Sequence, residues 1–224
     1  MTKDLEVGQF AGTNEETGPS IQLYDGTRFY LLHPRPEDIN IEQIAHATSK
    51  LCRFTGHVSA FYSVAQHCVI VSRLVPSELA LTGLLHDATE AYIGDVSKPL
   101  KLALDMLAPD VLTGIEERIH EAIAAKFEHA WPFPPEIKQA DNIALATEKR
   151  DLMPGSSKWK DMPTPAKWPI IPLEPEAARI AFLARFAEIV LRPGQGSMPI
   201  QLQPAPQPEP EPEPVNAEDW TVVG

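Results

Sequence analysis

The chain has 224 residues, of which 43% are hydrophobic and 22% charged, and its formal net charge is -12. This composition excludes a wholly disordered chain, and the acidic balance argues against non-specific nucleic-acid binding, which depends on clustered Lys and Arg. No run of about 18 apolar residues occurs, so we expect no transmembrane helix. Only two cysteines are present, and the first ten residues lack the pattern of a secretion signal. We therefore expect a cytoplasmic protein without a disulfide framework.

The N-terminal part of the sequence divides into two segments. Residues 1–19 are polar and contain glycine, which favours a flexible segment. In residues 20–32, two short apolar-rich runs flank Asp25 and Gly26, a dipeptide that favours a tight turn. The sequence therefore predicts a small β-hairpin over residues 20–32.

The segment that follows shows apolar residues at helical spacing, interrupted by proline-containing breaks. Six helices are predicted, over residues 39–51, 61–75, 78–93, 110–127, 135–153 and 175–191. On the sixth, we expect one apolar face made by Ile180, Leu183, Phe186 and Val190. Residues 154–173 contain too many prolines for regular structure. The predicted fold class is an all-α helical bundle, in a domain over residues 20–192, with the hairpin at its N-terminus.

The C-terminal segment, residues 193–224, holds 8 of the 23 prolines and no Lys or Arg. Alternating Pro and Glu cannot form a helix interior or a central strand. We expect a disordered acidic tail that serves as a solubilising spacer. The alternative is that its end docks on a protein partner through Trp220 and Val222.

The chemically most informative feature is the pair His86 and Asp87, which lies among apolar residues of the third predicted helix. A buried charge needs strong partners, because an unpaired one is costly. A divalent metal ion would supply them by binding the imidazole nitrogen and the carboxylate oxygen. A histidine that hydrogen-bonds within the bundle is the alternative.

Two other residues extend this pattern. His67 lies among apolar neighbours in the second helix, and Asp141 shares a face of the fifth helix with Ile137 and Leu145. Each has an ordinary interpretation, as a hydrogen-bonded core histidine and a surface charge. Three helices that carry such residues toward one core nevertheless favour a metal site, because bundle cores assemble metal sites from facing helices.

The order of these residues resembles the HD-domain phosphohydrolase superfamily: His67, then His86 and Asp87 with Glu90 and Asp95 after them, then Asp141. Within it, HDATEAYIGDVSKPLK is similar to a stretch of bacterial HD-domain 5′-deoxynucleotidases and phage dATP triphosphohydrolases. The upstream segment CRFTGHVSAFYSVAQHCVIVS, which contains Arg53, is similar as well. The resemblance covers about residues 30–152 and implies the HD-domain helical bundle.

The resemblance implies four metal ligands, His67, His86, Asp87 and Asp141, which would bind a divalent ion such as cobalt, manganese, zinc or magnesium. Glu90 follows Asp87 by three residues on the same helical face, and its implied role is the general acid/base. Its alternative is a solvated helix glutamate. Asp95 is implied to contact the sugar or to assist proton transfer, with a helix N-cap as its alternative.

Four residues are implied to contact the substrate. Arg53 has the planar fork that clamps a phosphate, and Phe54 would pack against the sugar or base. The relatives often carry Trp at the latter position, so this chain departs from their pattern there. Lys98 would face a phosphate and Pro99 would shape the base site, unless both are surface loop residues.

The predicted function is metal-dependent hydrolysis of the 5′ phosphate ester of a deoxynucleotide. A dNMP would give deoxynucleoside and phosphate, and a dNTP such as dATP would give deoxynucleoside and triphosphate. A phosphodiesterase acting on a cyclic nucleotide is an alternative, although the Gly-Tyr-Pro signature of the cyclic-dinucleotide enzymes is missing. A non-catalytic HD regulatory module is the other alternative. The resemblance also suggests a homo-oligomer, and we expect neither nucleic acid nor membrane as a partner.

Overall fold

The computed structural model describes residues 13–14, 18–155 and 159–191. Most of the predicted flexible segment 1–19, and all of the predicted tail 193–224, lie outside these residues. The described part is mostly helical and has a small antiparallel sheet at its N-terminal end. The coarse prediction of a helical protein with an N-terminal hairpin is therefore confirmed.

The sheet contains the predicted hairpin and one additional short strand. Strands β1 (Thr13–Asn14), β2 (Gly18–Gln22) and β3 (Arg28–Tyr30) are antiparallel and lie in the order β1-β2-β3. Ile21 is opposite Phe29 in the β2–β3 register. The Asp25 carboxylate closes the turn by accepting hydrogen bonds from the backbone N–H and the hydroxyl of Thr27 at 2.9 and 2.6 Å. The buried Phe29 ring packs the sheet against the helices, since it stacks on Tyr92 with the ring centroids 3.8 Å apart.

The helical part contains eight α-helices within the described residues: α1 (Ile41–Thr48), α2 (Val64–Leu74), α3 (Ala80–Leu85), α4 (Glu90–Ile93), α5 (Lys98–Leu107), α6 (Val111–Phe127), α7 (Pro135–Leu152) and α8 (Pro175–Leu191). Side chains cap two of them: Asn40 accepts from the backbone N–H of Glu42 before α1, and Ser63 accepts from that of Gln66 before α2. Short 3-10 turns cover Pro36–Asp38, Arg53–Gly56 and Ser77–Leu79.

Helix α2 is the central element of the bundle. All nine of its residues from Val64 to Ser72 are buried, and it packs against α3, α7 and α8. One side of α2 contributes to the main core with residues such as Leu84 and Phe182, while the other contributes to a smaller core with Ile137. A polar residue near the middle of α2 is therefore surrounded by protein on all sides.

The predicted continuous helix 78–93 is wrong, because it divides at residues 86–89 into α3 and α4. Backbone hydrogen bonds tighten there to the i→i+3 pattern, as in the bond from Ala88 N–H to the Leu85 carbonyl at 3.0 Å. The carbonyl of Gly83 accepts a hydrogen bond from Nδ1 of His86 at 2.9 Å. In a regular α-helix, the Gly83 carbonyl would accept from the backbone N–H of residue 87. Here the His86 imidazole takes the place of that donor.

Helix α5 also departs from the prediction, which has no helix over residues 98–107. Leu100, Leu104 and Leu107 follow helical spacing, so the sequence carried a signal for this helix that the prediction missed. The helix has no buried residue. Pro99 lies at its second position. Proline is tolerated there because the first backbone N–H groups of a helix have no acceptor within the helix.

The predicted apolar face of α8 is wrong in part. Ile180 and Val190 are 55% and 51% exposed, whereas Ala178, Phe182 and Arg185 are buried. Apolar residues occur nearly all around this helix, so their spacing does not select one face. The buried guanidinium of Arg185 contributes to this orientation by donating to the hydroxyl and the carbonyl of Ser72 at 2.9 and 3.0 Å. None of the described helices is long and apolar enough to cross a membrane.

Candidate metal centre

The four residues that the sequence analysis singled out as metal ligands lie together at the junction of α2, the 86–89 turn and α7. Nε2 of His67 is 3.2 Å from Nε2 of His86, 3.5 Å from Oδ2 of Asp87 and 3.3 Å from Oδ1 of Asp141. The ligand atoms of His67, His86 and Asp87 all lie within 4.8 Å of one another, so this group could hold a metal ion. Asp141 adds a second carboxylate at its edge.

The hydrogen bonds of the two imidazoles fit a cation at this point. Nδ1 of His67 lies 2.6 Å from a carboxylate oxygen of Glu148, and Nδ1 of His86 contacts the Gly83 carbonyl. Both partners are acceptors, which assigns the donor proton of each ring to Nδ1 and leaves a lone pair on Nε2 of each neutral ring. The two Nε2 atoms and the two carboxylates therefore form a set of ligands suited to a divalent ion.

The charges of the cluster also fit a cation site. Burial raises the pKa of Asp87, but the neighbouring His86, His67 and Arg53 outweigh this effect and hold it below the ordinary value. Burial lowers the pKa of His86, and the Asp87 carboxylate reverses this and holds it well above the ordinary value. The His86 ring and the Asp87 carboxylate thus stabilise each other's charged forms, and a cation bound between them would compete with a proton for the His86 nitrogen.

Sequence reasoning missed Glu148, which is fully buried on α7. One of its oxygens is 2.6 Å from Nδ1 of His67 and accepts from the Tyr62 hydroxyl at 2.9 Å, and the other accepts from Arg53 at 3.2 Å. Burial raises the pKa of Glu148, but Arg53 and His67 outweigh it and lower this pKa to about 2. A signal was available, because Glu148 follows Asp141 by seven residues, or two turns on one helix face.

Arg53 bridges two acidic residues of this cluster. Its side chain is 11% exposed and donates to Asp87 at 3.4 Å and to Glu148 at 3.2 Å. The following residues, Phe54 and Thr55, have φ values of 57° and 54°, in the left-handed region that non-glycine residues rarely adopt. This backbone places the Phe54 ring 5.4 Å from the Arg53 guanidinium. The predicted substrate roles of both residues stay predictions, and Arg53 is placed beside the metal cluster.

The predicted acid/base residue, Glu90, is the first residue of α4 and is buried. Its Oε2 has no hydrogen-bond partner among the described residues. Burial, Asp87 and Asp95 together raise the pKa of Glu90 well above its ordinary value. Asp95 lies beyond α4 and is partly buried, and burial is the main cause of its raised pKa. Two carboxyl groups that hold their protons unusually tightly therefore lie near the cluster.

Lys98 and Pro99 lie at the first two positions of α5 and are exposed. No contact described in the structure joins either residue to the metal cluster. Lys101, one turn further along, pairs with Glu116 at 2.7 Å. Its charge partly offsets the rise in the pKa of Glu90. The nearest cation of α5 is therefore Lys101, while the substrate roles of Lys98 and Pro99 stay predictions.

Comparison with known proteins places this chain among its relatives. No family model matches it. An uncharacterized protein of Rhodobacter capsulatus is 29% identical over 140 residues, which span 58% of this chain and 71% of that protein. The uncharacterized protein YfdR of Escherichia coli K12 is 41% identical over 177 residues, which span 75% of this chain and 94% of YfdR. The chain therefore belongs to the same protein family as YfdR.

Proposed function

We propose that this protein is a metal-dependent phosphohydrolase of the HD-domain type that hydrolyses the 5′ phosphate ester of a deoxynucleotide. The observation that carries the proposal is the convergence of two imidazole nitrogens and a carboxylate within 4.8 Å, with a second carboxylate beside them. The resemblance of HDATEAYIGDVSKPLK to the deoxynucleotidases and dATP triphosphohydrolases supplies the substrate class.

Each group in this proposal has a separate task. The ion held by His67, His86, Asp87 and Asp141 would supply Lewis acidity at the phosphoryl group. Glu90 exchanges the proton that moves between the attacking water and the leaving oxygen. Its raised pKa and unpartnered Oε2 suit this role, because an acid/base residue must be able to bind and release a proton near the working pH.

The site must also bind the negative charge of the substrate phosphate. Arg53 lies 3.4 Å from Asp87, and it can orient a phosphate while it remains bound to Glu148. Hydrolysis at the phosphorus next to the sugar serves dNMP and dNTP alike. A triphosphate needs further positive charge, and Lys98 and Lys101 on α5 are the candidates to provide it.

The test is a product analysis with the metal-stripped protein. Cobalt, manganese, zinc or magnesium is restored singly, and products from dNMPs, dNTPs, NMPs and NTPs are separated by chromatography. We expect metal-dependent release of deoxynucleoside, with phosphate or triphosphate as the second product. Asp87→Ala removes a ligand and is expected to abolish this activity, whereas the exposed Glu136→Gln on α7 serves as the matched control and retains it.

Three results would contradict the proposal. Turnover that persists in Asp87→Ala would indicate a contaminating phosphatase or a different active site. Turnover of bis-p-nitrophenyl phosphate or a cyclic nucleotide, without turnover of any deoxynucleotide, would instead support a phosphodiesterase. If no metal and no substrate gives turnover, the non-catalytic module is the better interpretation.

A further inference from the structure

We propose that Glu148 is a positioning residue that fixes His67 in the tautomer able to bind a metal ion through Nε2. This inference rests on the proposed metal-dependent function. Its starting point is the 2.6 Å contact between Oε1 of Glu148 and Nδ1 of His67. Both side chains are fully buried, so water does not compete for this contact.

The partners of Glu148 determine which atom carries the proton. The guanidinium of Arg53 has only donors, and it donates to Oε2 at 3.2 Å. The Tyr62 hydroxyl donates to Oε1 at 2.9 Å. A carboxylate with these donors is ionised and offers only acceptors, so the proton of the 2.6 Å contact lies on Nδ1 of His67. The lone pair of the neutral ring is then on Nε2, which faces His86, Asp87 and Asp141.

The backbone holds these donors in place. Arg53 and Tyr62 are joined by a hydrogen bond from the Arg53 N–H to the Tyr62 carbonyl at 2.9 Å, and Cys52 pairs with Ser63 in a β-bridge. Ser63 then caps α2, four residues before His67. The two residues that donate to the Glu148 carboxylate therefore lie on one hydrogen-bonded loop. This loop leads directly into α2, the helix that carries His67. This arrangement orients the imidazole before any ion arrives.

Such a contact affects metal binding because the other tautomer would place a proton on Nε2, where the ion must bind. Loss of the partner that orients a histidine ligand typically lowers metal affinity about 10- to 100-fold. Glu148→Gln keeps the shape of the side chain but removes its charge, and its amide can donate to Nδ1 and so favour the wrong tautomer. We expect this variant to bind Co²⁺ about 10- to 100-fold more weakly than the wild type.

The test measures Co²⁺ affinity by competition with a chelator, and the tautomer of His67 by long-range ¹⁵N–¹H NMR of the Zn²⁺-loaded protein. Wild type is expected to show a protonated Nδ1 and a metal-bound Nε2 on His67. Tyr62→Phe keeps the carboxylate and should reduce affinity by less than about tenfold, with the tautomer unchanged. Glu136→Gln is the exposed control on the same helix and should match the wild type.

The outcomes separate this inference from the proposed function. Unchanged Co²⁺ affinity in a folded Glu148→Gln variant would overturn the inference alone. A wild-type His67 that carries its proton on Nε2 in the Zn²⁺-loaded protein would also overturn it, and this measurement needs no variant. Failure of the wild type to bind any of the metals would overturn both. Metal binding with the expected His67 tautomer, but without hydrolysis, would support the inference and reject the proposed function.

Discussion

Two buried glutamates have opposite electrostatic surroundings and therefore opposite shifts of their pKa values. Glu148, between α7 and α2, has Tyr62, Arg53 and His67 as hydrogen-bond partners, and these lower its pKa to about 2. Glu90, on α4, has no described partner at Oε2 and lies near two other carboxyl groups, so its pKa is raised. Burial is similar in the two regions, and the charge of the neighbours decides the protonation state.

The difference suits the two glutamates to different tasks in the proposed mechanism. A carboxylate held by several donors is fixed in place and in charge, which suits a structural anchor for a metal ligand. A buried carboxyl group with a raised pKa and no described partner at Oε2 keeps a proton that it can donate, which suits acid/base chemistry.

The largest effect is expected for Glu90→Gln in the hydrolysis reaction. The variant keeps the size of the side chain but cannot exchange a proton, so we expect kcat to fall by about 10²- to 10⁴-fold. Co²⁺ affinity should remain that of the wild type, because Glu90 is not among the proposed ligands. Steady-state product release and a metal titration measure the two quantities. Full activity in this variant would move the acid/base role elsewhere, with Asp95 as the next candidate.

A large loss of stability is expected for Glu148→Ala. The substitution leaves the nearly buried Arg53 guanidinium without one of its two acidic partners, and we expect the free energy of unfolding to fall by about 3–5 kcal/mol. Urea denaturation of the metal-free protein measures it. Glu90→Ala is the matched variant, and its cost should be below about 1 kcal/mol because no described partner is lost. Equal losses in the two variants would remove the contrast between the regions.

A moderate effect is expected for Gly83→Ala, which tests the support of His86. A Cβ at this position would lie 3.0 Å from Cγ2 of Val75 and 3.1 Å from the backbone Cα of Ser72. The close approach of α3 to α2 would have to open, and we expect a loss of about 1–3 kcal/mol in the free energy of unfolding.

Gly114→Ala on α6 is the control for this prediction, because a Cβ there meets open space. It should stabilise the protein by up to about 1 kcal/mol through higher helix propensity. Thermal unfolding of both variants measures the difference. A Gly83→Ala variant as stable as the control would show that the approach of α3 to α2 is not tight.

The smallest effect is a pH dependence of opposite sign for the two glutamates in the metal-free protein. Glu148, with a lowered pKa of about 2, contributes stability that is present above the ordinary value of 4.5 and is lost as the pH falls toward 2. Glu90, with a raised pKa, keeps its proton in the folded state, so its contribution is lost as the pH rises above 4.5.

The measurement compares the free energy of unfolding of wild type with that of Glu148→Gln and Glu90→Gln between about pH 3 and pH 8. Each difference should change by at most about 1.4 kcal/mol per pH unit, with opposite slopes for the two variants. Slopes of the same sign would mean that the two carboxyl groups do not differ in their surroundings as described.

Much of the architecture could be predicted from local patterns. Asp25 and Gly26 specify the hairpin turn, and Asn40 and Ser63 cap the helices that follow them. The helical spacing around Asp141 placed it on a face shared with the buried Ile137. These features are predictable because turn, cap and helix-face preferences depend on residues only a few positions apart.

Other features depend on contacts between distant residues and could not be predicted in this way. The division of the third predicted helix at residues 86–89 accompanies a bond between the His86 ring and the Gly83 carbonyl. The buried face of α8 includes the contact of Arg185 with Ser72, 113 residues away in sequence. Neither contact can be recognised from the spacing of hydrophobic residues along the sequence.

Residue chemistry and helical period are local properties, so the sequence can indicate candidate ligands and can place His67 and Asp141 on helices. The surroundings of each side chain depend on how distant segments pack. Glu148 and Glu90 both lie on helices, yet Glu148 accepts hydrogen bonds from Arg53 and Tyr62, while Glu90 lies near Asp87 and Asp95. Electrostatic surroundings arise from the packing of segments far apart in the chain, and they set opposite protonation states for the two side chains.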